Sequence, residues 1–217
     1  MDSSVKNVRS ALFDGIQLQD METMLGCIGY HVRSYKKGEI IAFEAETINH
    51  VGVVMEGAVD MLKEDVWGNR TMLIRSYPAD IFGETFACGE DSLSVVTFAA
   101  AEDCKVLFLS FCRVMHTCTH ACQFHQTLVE NMVRMIARKN RELMRKIEVV
   151  SKKTLREKIL AYLSAYGGSG SFTIPLGRVE WAEYLCADRS TLTRELAKMK
   201  EEGILDYQKN TFRILKM

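Results

Sequence analysis

The stretch Arg178–Leu205, RVEWAEYLCADRSTLTRELAKMKEEGIL, decides how the rest of the chain is read. Apolar residues fall at Trp181, Ala182 and Leu185, and again at Leu192, Leu196 and Met199. That is helical spacing on both sides of a short break. The break, Cys186-Ala187-Asp188, is as tight as a helix-turn-helix corner requires. Between the inward positions of the second helix stand Arg189, Ser190, Thr193 and Arg194. They form an outward face of cationic and hydroxyl groups able to donate to phosphates and base edges. Gly203 suits a left-handed helix stop. Two short strands, Ile204–Tyr207 and Thr211–Leu215, then flank Lys209-Asn210 and predict a hairpin wing. An ordinary helical hairpin shares the apolar spacing. The Arg/Ser/Thr/Arg face followed by a wing favours double-stranded DNA as the partner.

Composition supports a second module beside this one. The 217 residues are 47% apolar and 26% charged, with two prolines, which describes a globular chain without disordered linkers. The N-terminus MDSSVKNVRS has no apolar signal core, and no run approaches the ~18–20 apolar residues of a membrane span. A cytoplasmic protein with no membrane partner is expected. Seven irregularly spaced cysteines fit a reducing compartment better than a disulfide framework. The formal net charge of zero hides an asymmetry. Residues 1–118 carry 10 Lys/Arg against 17 Asp/Glu, and residues 119–217 carry 18 against 11. The basic half suits a polyanion, and the acidic half would be repelled by one.

Short β-type runs fill the region from Tyr30 to Leu109: Ile40–Phe43, Val51–Met55, Ala58–Leu62, Thr71–Ile74 and Lys105–Leu109, punctuated by the turns Lys37-Gly38-Glu39, Glu56-Gly57, Trp67-Gly68-Asn69 and Pro78-Ala79-Asp80. Before them, residues 1–30 read as short helices. The runs predict an antiparallel barrel or jelly roll. From Ala121 to Val150 there is no Gly or Pro, and apolar residues recur at three-to-four spacing. That is a helix of roughly 30 residues, about 45 Å long. Its stripe is too long to be covered by one small barrel, so a second chain is expected along Leu128, Met132, Met135, Leu143 and Ile147, with Lys139-Asn140 as a polar notch in the seam. Packing on its own subunit is the alternative. The fold class is therefore α+β: an N-terminal antiparallel double-stranded β-helix or jelly roll (1–118), a long dimerisation helix (119–150) and a C-terminal winged helix-turn-helix (151–217).

This order of parts resembles the Crp/Fnr family of bacterial transcription regulators across nearly the whole chain. The marks are Tyr35-Lys36-Lys37-Gly38-Glu39, Met55-Glu56-Gly57-Ala58-Val59, Pro78-Ala79-Asp80-Ile81-Phe82-Gly83-Glu84 and Asp188–Leu196. The resemblance implies a homodimer on a pseudo-palindromic promoter site, with contact to RNA polymerase. It places Arg189, Ser190, Thr193 and Arg194 at base- or phosphate-contacting positions and Arg178 at a backbone-contacting one. Several members have Glu where Ser190 stands. Ser pairs with almost any base edge, so a different half-site is implied.

The resemblance also implies a small-molecule effector in the roll, around Gly83, Glu84, Ser94 and Val95. Cyclic-nucleotide-binding members carry Arg-Ser where this chain has Ser94-Val95. Without the guanidinium clamp for a cyclic phosphate, cyclic AMP is not expected. Fnr-type members hold an iron–sulfur cluster on closely spaced N-terminal cysteines, whereas the N-terminal segment here has Cys27.

Between the roll and the long helix, Cys112, Cys118 and Cys122 stand near His116, His120 and His125. In a helix, Cys118 and Cys122 lie one turn apart with His125 close by, a set that suits zinc, copper(I) or an iron–sulfur centre. A metal- or redox-responsive regulator using Cys118, Cys122 and His125 is therefore the second functional reading. Plain packing of small thiols is the simpler account of the cluster. An enzyme similar to a cupin would need a His/His/Glu set. His31 and His50 are the histidines of the strand region, and neither sits in such a motif.

Overall fold

The computed structural model describes residues 8–88, 92–115, 123–167 and 170–216. Its contacts group into two units: the chain up to Lys63 with Ile74–Asn140, and Glu64–Leu73 with Arg141–Met217. The divide falls inside the long helix. Along the chain, a 3-10 turn Ala11–Phe13 and helix α1 (Leu18–Ile28) precede β1 (Tyr30–Tyr35), β2 (Ile40–Ala42), β3 (His50–Glu56), β4 (Val59–Glu64), β5 (Arg70–Ser76) and β6 (Ile81–Phe82). Short helix α2 (Glu84–Ala87), β7 (Thr97–Ala100), β8 (Cys104–Ser110), α3 (Phe111–Met115) and α4 (Gln123–Val150) follow.

Two four-stranded sheets run in the orders β1-β8-β3-β6 and β2-β7-β4-β5. The pairings of β8 with β1 and β3, of β3 with β6, and of β7 with β2 and β4 are all antiparallel. The expected α+β roll is present. Central strand β3 buries Val51, Gly52, Val53 and Val54 in succession. A run without alternation is what a strand covered on both faces shows. An added Cβ at Gly52 would stand 2.4 Å from the Phe82 ring, so glycine there lets that ring lie across the strand. Three strands had no clear sequence signal. β1 exposes His31, Arg33 and Ser34, while β6 and β7 are two and four residues long.

Helix α4 carries two apolar stripes one residue apart. The inner one buries Leu128, Met132 and Met135 in the core of the first unit, with Leu12, Met24, Leu25, Val51, Leu107 and Leu109. These three residues were expected in a dimer seam, and that assignment is corrected: the N-terminal helices and β3/β8 of their own chain cover them. Asn131 on the same side donates to the Leu12 and Asp14 carbonyls at 3.1 and 2.7 Å. Lys139, expected as a seam notch, is also buried on this side. The neighbouring stripe leaves Val133, Ile136 and Ile147 exposed and Val129, Leu143 and Val150 half-buried.

In the second unit, α5 (Leu155–Tyr166) starts at a capping box in which Thr154 Oγ1 accepts from the Glu157 N–H at 3.2 Å and the Thr154 N–H donates to Glu157 Oε2 at 2.9 Å. An N-cap of this kind contributes about 0.5–2 kcal/mol. Next come β9 (Ser171–Thr173), α6 (Arg178–Leu185), α7 (Arg189–Glu201), β10 (Leu205–Gln208) and β11 (Thr211–Ile214). The three strands form a sheet in the order β10-β11-β9. Trp181 is fully buried, 5.3 Å from the Tyr162 ring and 5.2 Å from Phe212. Truncating such a residue costs about 3–5 kcal/mol.

Candidate functional site

The α6–α7 corner is made by one left-handed residue, Cys186 at φ +52°. The Ala187 N–H then bonds back to the Ala182 carbonyl at 3.0 Å, closing the first helix. Asp188 is extended and passes its carbonyl to the Leu192 N–H at 2.9 Å, which opens the second. Leu192, Leu196 and Met199 are fully buried, and that fixes the rotation of α7 about its axis. Arg189, Ser190, Thr193 and Arg194 consequently share the exposed face. Thr193 Oγ1 donates to the Arg189 carbonyl at 2.9 Å, and Arg194 lies 3.3 Å from Thr191 Oγ1. Among the described residues, no carboxylate pairs with Arg189 or Arg194. Lys200, by contrast, is held by Asp206 at 2.7 Å. Gly203 has φ +69°, the left-handed stop that its position predicts.

Arg178 has a different setting. Its guanidinium lies 5.6, 5.2 and 5.1 Å from the Trp181, Tyr207 and Phe212 rings and donates to the Lys209 carbonyl at 2.7 Å. One terminal nitrogen is buried with no hydrogen-bond partner, and burial lowers the group's pKa. This arginine ties the start of α6 to the wing turn, where Lys209 adopts φ +53°.

The four expected effector residues are not gathered round one opening. Glu84 is 1% exposed, and both of its oxygens face Lys139 Nζ, at 3.0 and 3.2 Å. Lys139 also donates to the Ile81 carbonyl at 3.0 Å. Ser94 is buried, and its hydroxyl donates to the Val96 carbonyl at 2.6 Å. Val95 points outward and is 61% exposed. Gly83 differs: it lines a cavity of about 210 Å³ within the roll. Its other walls include His31, Arg33, Tyr35, Glu46, Asn49 and His50, and the buried Phe82 and Phe98 rings also border it. These residues come from separated segments, so nothing in the sequence marked them as one site. Lys139 was missed for the same reason, because its partner lies 55 positions away.

Cys118 and Cys122 lie outside the described residues. His125 is buried on the inner stripe of α4. Among the described residues, no three His, Cys, Asp or Glu side chains stand close enough to hold a metal ion. Cys104 is buried, chiefly by which its thiol is pushed up to about 11. No described helix is long and apolar enough to cross a membrane.

A two-sheet roll, a long helix and a winged helix-turn-helix with an exposed cationic face define a class of two-part DNA-binding transcription regulators. Residues 32–117 match the family model of the cyclic nucleotide-binding domain, and residues 157–217 match that of the Crp-like helix-turn-helix domain. The chain belongs to the Crp/Fnr family, whose members are transcription regulators rather than enzymes. It is 27% identical over 209 residues to the transcriptional activator protein FnrA of Stutzerimonas stutzeri, covering 92% of this chain and 82% of that one. Among solved structures, the c-di-GMP-responsive global regulator CLP of Xanthomonas campestris shares the fold with a TM-score of 0.75 at 16% identity, over 93% of this chain and 100% of that one. FixK2 of Bradyrhizobium japonicum gives a TM-score of 0.63 at 20% identity, over 87% and 98%.

Proposed function

We propose that the chain works as a homodimer that reads a pseudo-palindromic promoter site through α7, next to RNA polymerase, and is switched by a small molecule other than cyclic AMP held in the roll. The observation that carries this reading is the exposed α7 face, where Arg189 and Arg194 meet no carboxylate among the described residues and Ser190 and Thr193 stand beside them. Arginine forks and hydroxyls on a groove-sized helix are the donors that base edges and phosphates accept from. Arg178 acts in this reading by positioning the wing.

The outer stripe of α4 supports the dimer. Val129, Val133, Ile136, Asn140, Leu143, Ile147 and Val150 follow alternating spacings of four and three, the rhythm of a coiled-coil seam. Val133 and Ile147 are β-branched and occupy the same heptad position as Asn140 between them. That pattern favours two parallel strands, with the asparagine setting register. Of the residues first expected there, Leu143 and Ile147 belong to this stripe. A two-fold seam matches the two-fold symmetry of a palindromic site.

The case against cyclic AMP rests on Glu84 and Ser94. Both already satisfy partners of their own chain, and no guanidinium stands at Ser94-Val95 to offset desolvation of a phosphate. Two measurements test the reading. Sedimentation of an Ile136→Asp/Ile147→Asp variant should show a folded monomer that has lost operator affinity; a variant that remains dimeric places the seam elsewhere. Cyclic AMP should leave the melting temperature unaltered, and a concentration-dependent rise would show that Glu84 exchanges Lys139 for the nucleotide.

A further inference from the structure

The helix that presents Arg189 and Arg194 also carries carboxylates close to them. Glu195 directly follows Arg194, and Glu202 is the C-cap of α7. The two stand about two turns apart on one side of the helix. A carboxylate beside a groove-reading face repels the phosphates that flank the groove. Neither acid is left free. Arg156, in the first turn of α5, reaches both. Its Nε donates to Glu195 Oε1 at 2.7 Å, and its two terminal nitrogens donate to the Glu202 oxygens at 2.6 and 3.1 Å. The same hydrogen bonding holds the Glu202 carboxyl below the usual carboxylate range, so it carries its charge near pH 7. Asp206 in β10 is met in a similar way, by Lys200 at 2.7 Å.

Arg156 could serve as a clamp, a phosphate contact or a charge mask. The clamp is redundant. Leu192, Leu196 and Met199 are fully buried and already set the rotation of α7, and the Cys186 corner sets its start. Burial of three such side chains outweighs ion pairs whose arginine is 31% exposed. A phosphate contact is poorly served, since all three guanidinium nitrogens already donate to carboxylates. The mask has no substitute. Two uncompensated carboxylates within a Debye length of the phosphates add a repulsion that packing does not remove.

We propose that Arg156 raises DNA affinity without touching DNA, by cancelling the charges of Glu195 and Glu202 beside the exposed face of α7. The inference rests on α7 being the reading helix. It is tested by fluorescence anisotropy on a duplex that the full-length protein enriches from a random pool. Arg156→Gln should weaken binding about tenfold at low salt, and the gap should narrow as salt is raised. Arg156→Gln/Glu195→Gln/Glu202→Gln removes the mask together with the acids and should bind at least as tightly as the unsubstituted protein. Glu195→Gln/Glu202→Gln, with the arginine kept, should do the same, and it decides the matter if Arg156→Gln does not fold. Unchanged affinity in Arg156→Gln would overturn the mask. So would a triple variant as weak as Arg156→Gln, which would make the arginine a clamp or a phosphate contact, or a double variant weaker than the unsubstituted protein. Arg189→Ala/Arg194→Ala, measured alongside, keeps two failures apart. If it binds undiminished, reading by α7 fails. If it loses the duplex while Arg156→Gln does not, only the mask fails.

Discussion

Helices α4 and α7 are both rich in cations, yet they direct them oppositely. On α7 the packing of Leu192, Leu196 and Met199 turns Arg189 and Arg194 outward, where they meet no carboxylate among the described residues. On α4 two lysines point inward. Lys139 pairs with buried Glu84, and Lys146 donates to the Met72 and Tyr184 carbonyls, the latter at 2.9 Å, with its ammonium 4.1 Å from the Tyr184 ring. A desolvated charge must be satisfied by its own chain, and a solvated one stays available to a partner. Counting basic residues therefore says little about where a polyanion binds; their burial says more.

The sharpest way to break this contrast is at Lys139. Lys139→Met leaves the Glu84 carboxylate buried without its cation and should destabilise the protein by about 3–5 kcal/mol in urea unfolding. Adding Glu84→Gln should recover most of that loss. A Lys139→Met protein of unchanged stability would mean that the pair contributes nothing. Arg189→Ala, at the exposed end of the comparison, should leave unfolding within about 0.5 kcal/mol. Its effect should appear in operator affinity instead, a loss of about 1–3 kcal/mol by fluorescence anisotropy.

A smaller effect separates Lys146 from both. Burial lowers its pKa from 10.5 to about 8. Between those values the unfolded chain holds a proton that the folded chain has released, so stability rises with pH across that window. The rise from this group is at most about 1.4 kcal/mol per pH unit. Unfolding midpoints of the protein and of Lys146→Met, followed from pH 7 to pH 10, should diverge above about pH 8. A constant difference would show that Lys146 keeps its proton throughout.

How much could be read in advance follows the same division. The helix-turn-helix was legible because its determinants are local: six apolar positions at helical spacing, a tight corner and a glycine stop all lie within Arg178–Leu205. The glycine-punctuated strands were legible for the same reason. Helix α4 was legible as a helix but ambiguous in rotation, because Leu128/Met132/Met135 and Val129/Val133/Ile136 repeat with one period. The N-terminal helices, β3 and β8, distant in sequence, decide which stripe is core. The Glu84–Lys139 pair and the His31/Arg33/His50 cavity depend on such long-range meetings, and a pattern of spacings has no access to them. Tyr30–Tyr35 hid its strand for a related reason: it lies at the end of its sheet, and its exposed polar residues obscure the alternation.

The outward face of α7 has a direct test in selection of bound sequences from a random duplex pool by the full-length protein. Two inverted half-sites should be enriched with centres about 10–10.5 base pairs apart, or a multiple of that, matching recognition helices ~34–36 Å apart. The Arg189→Ala/Arg194→Ala protein should enrich none. A solitary half-site, or the same enriched pair with the double variant, would contradict the account.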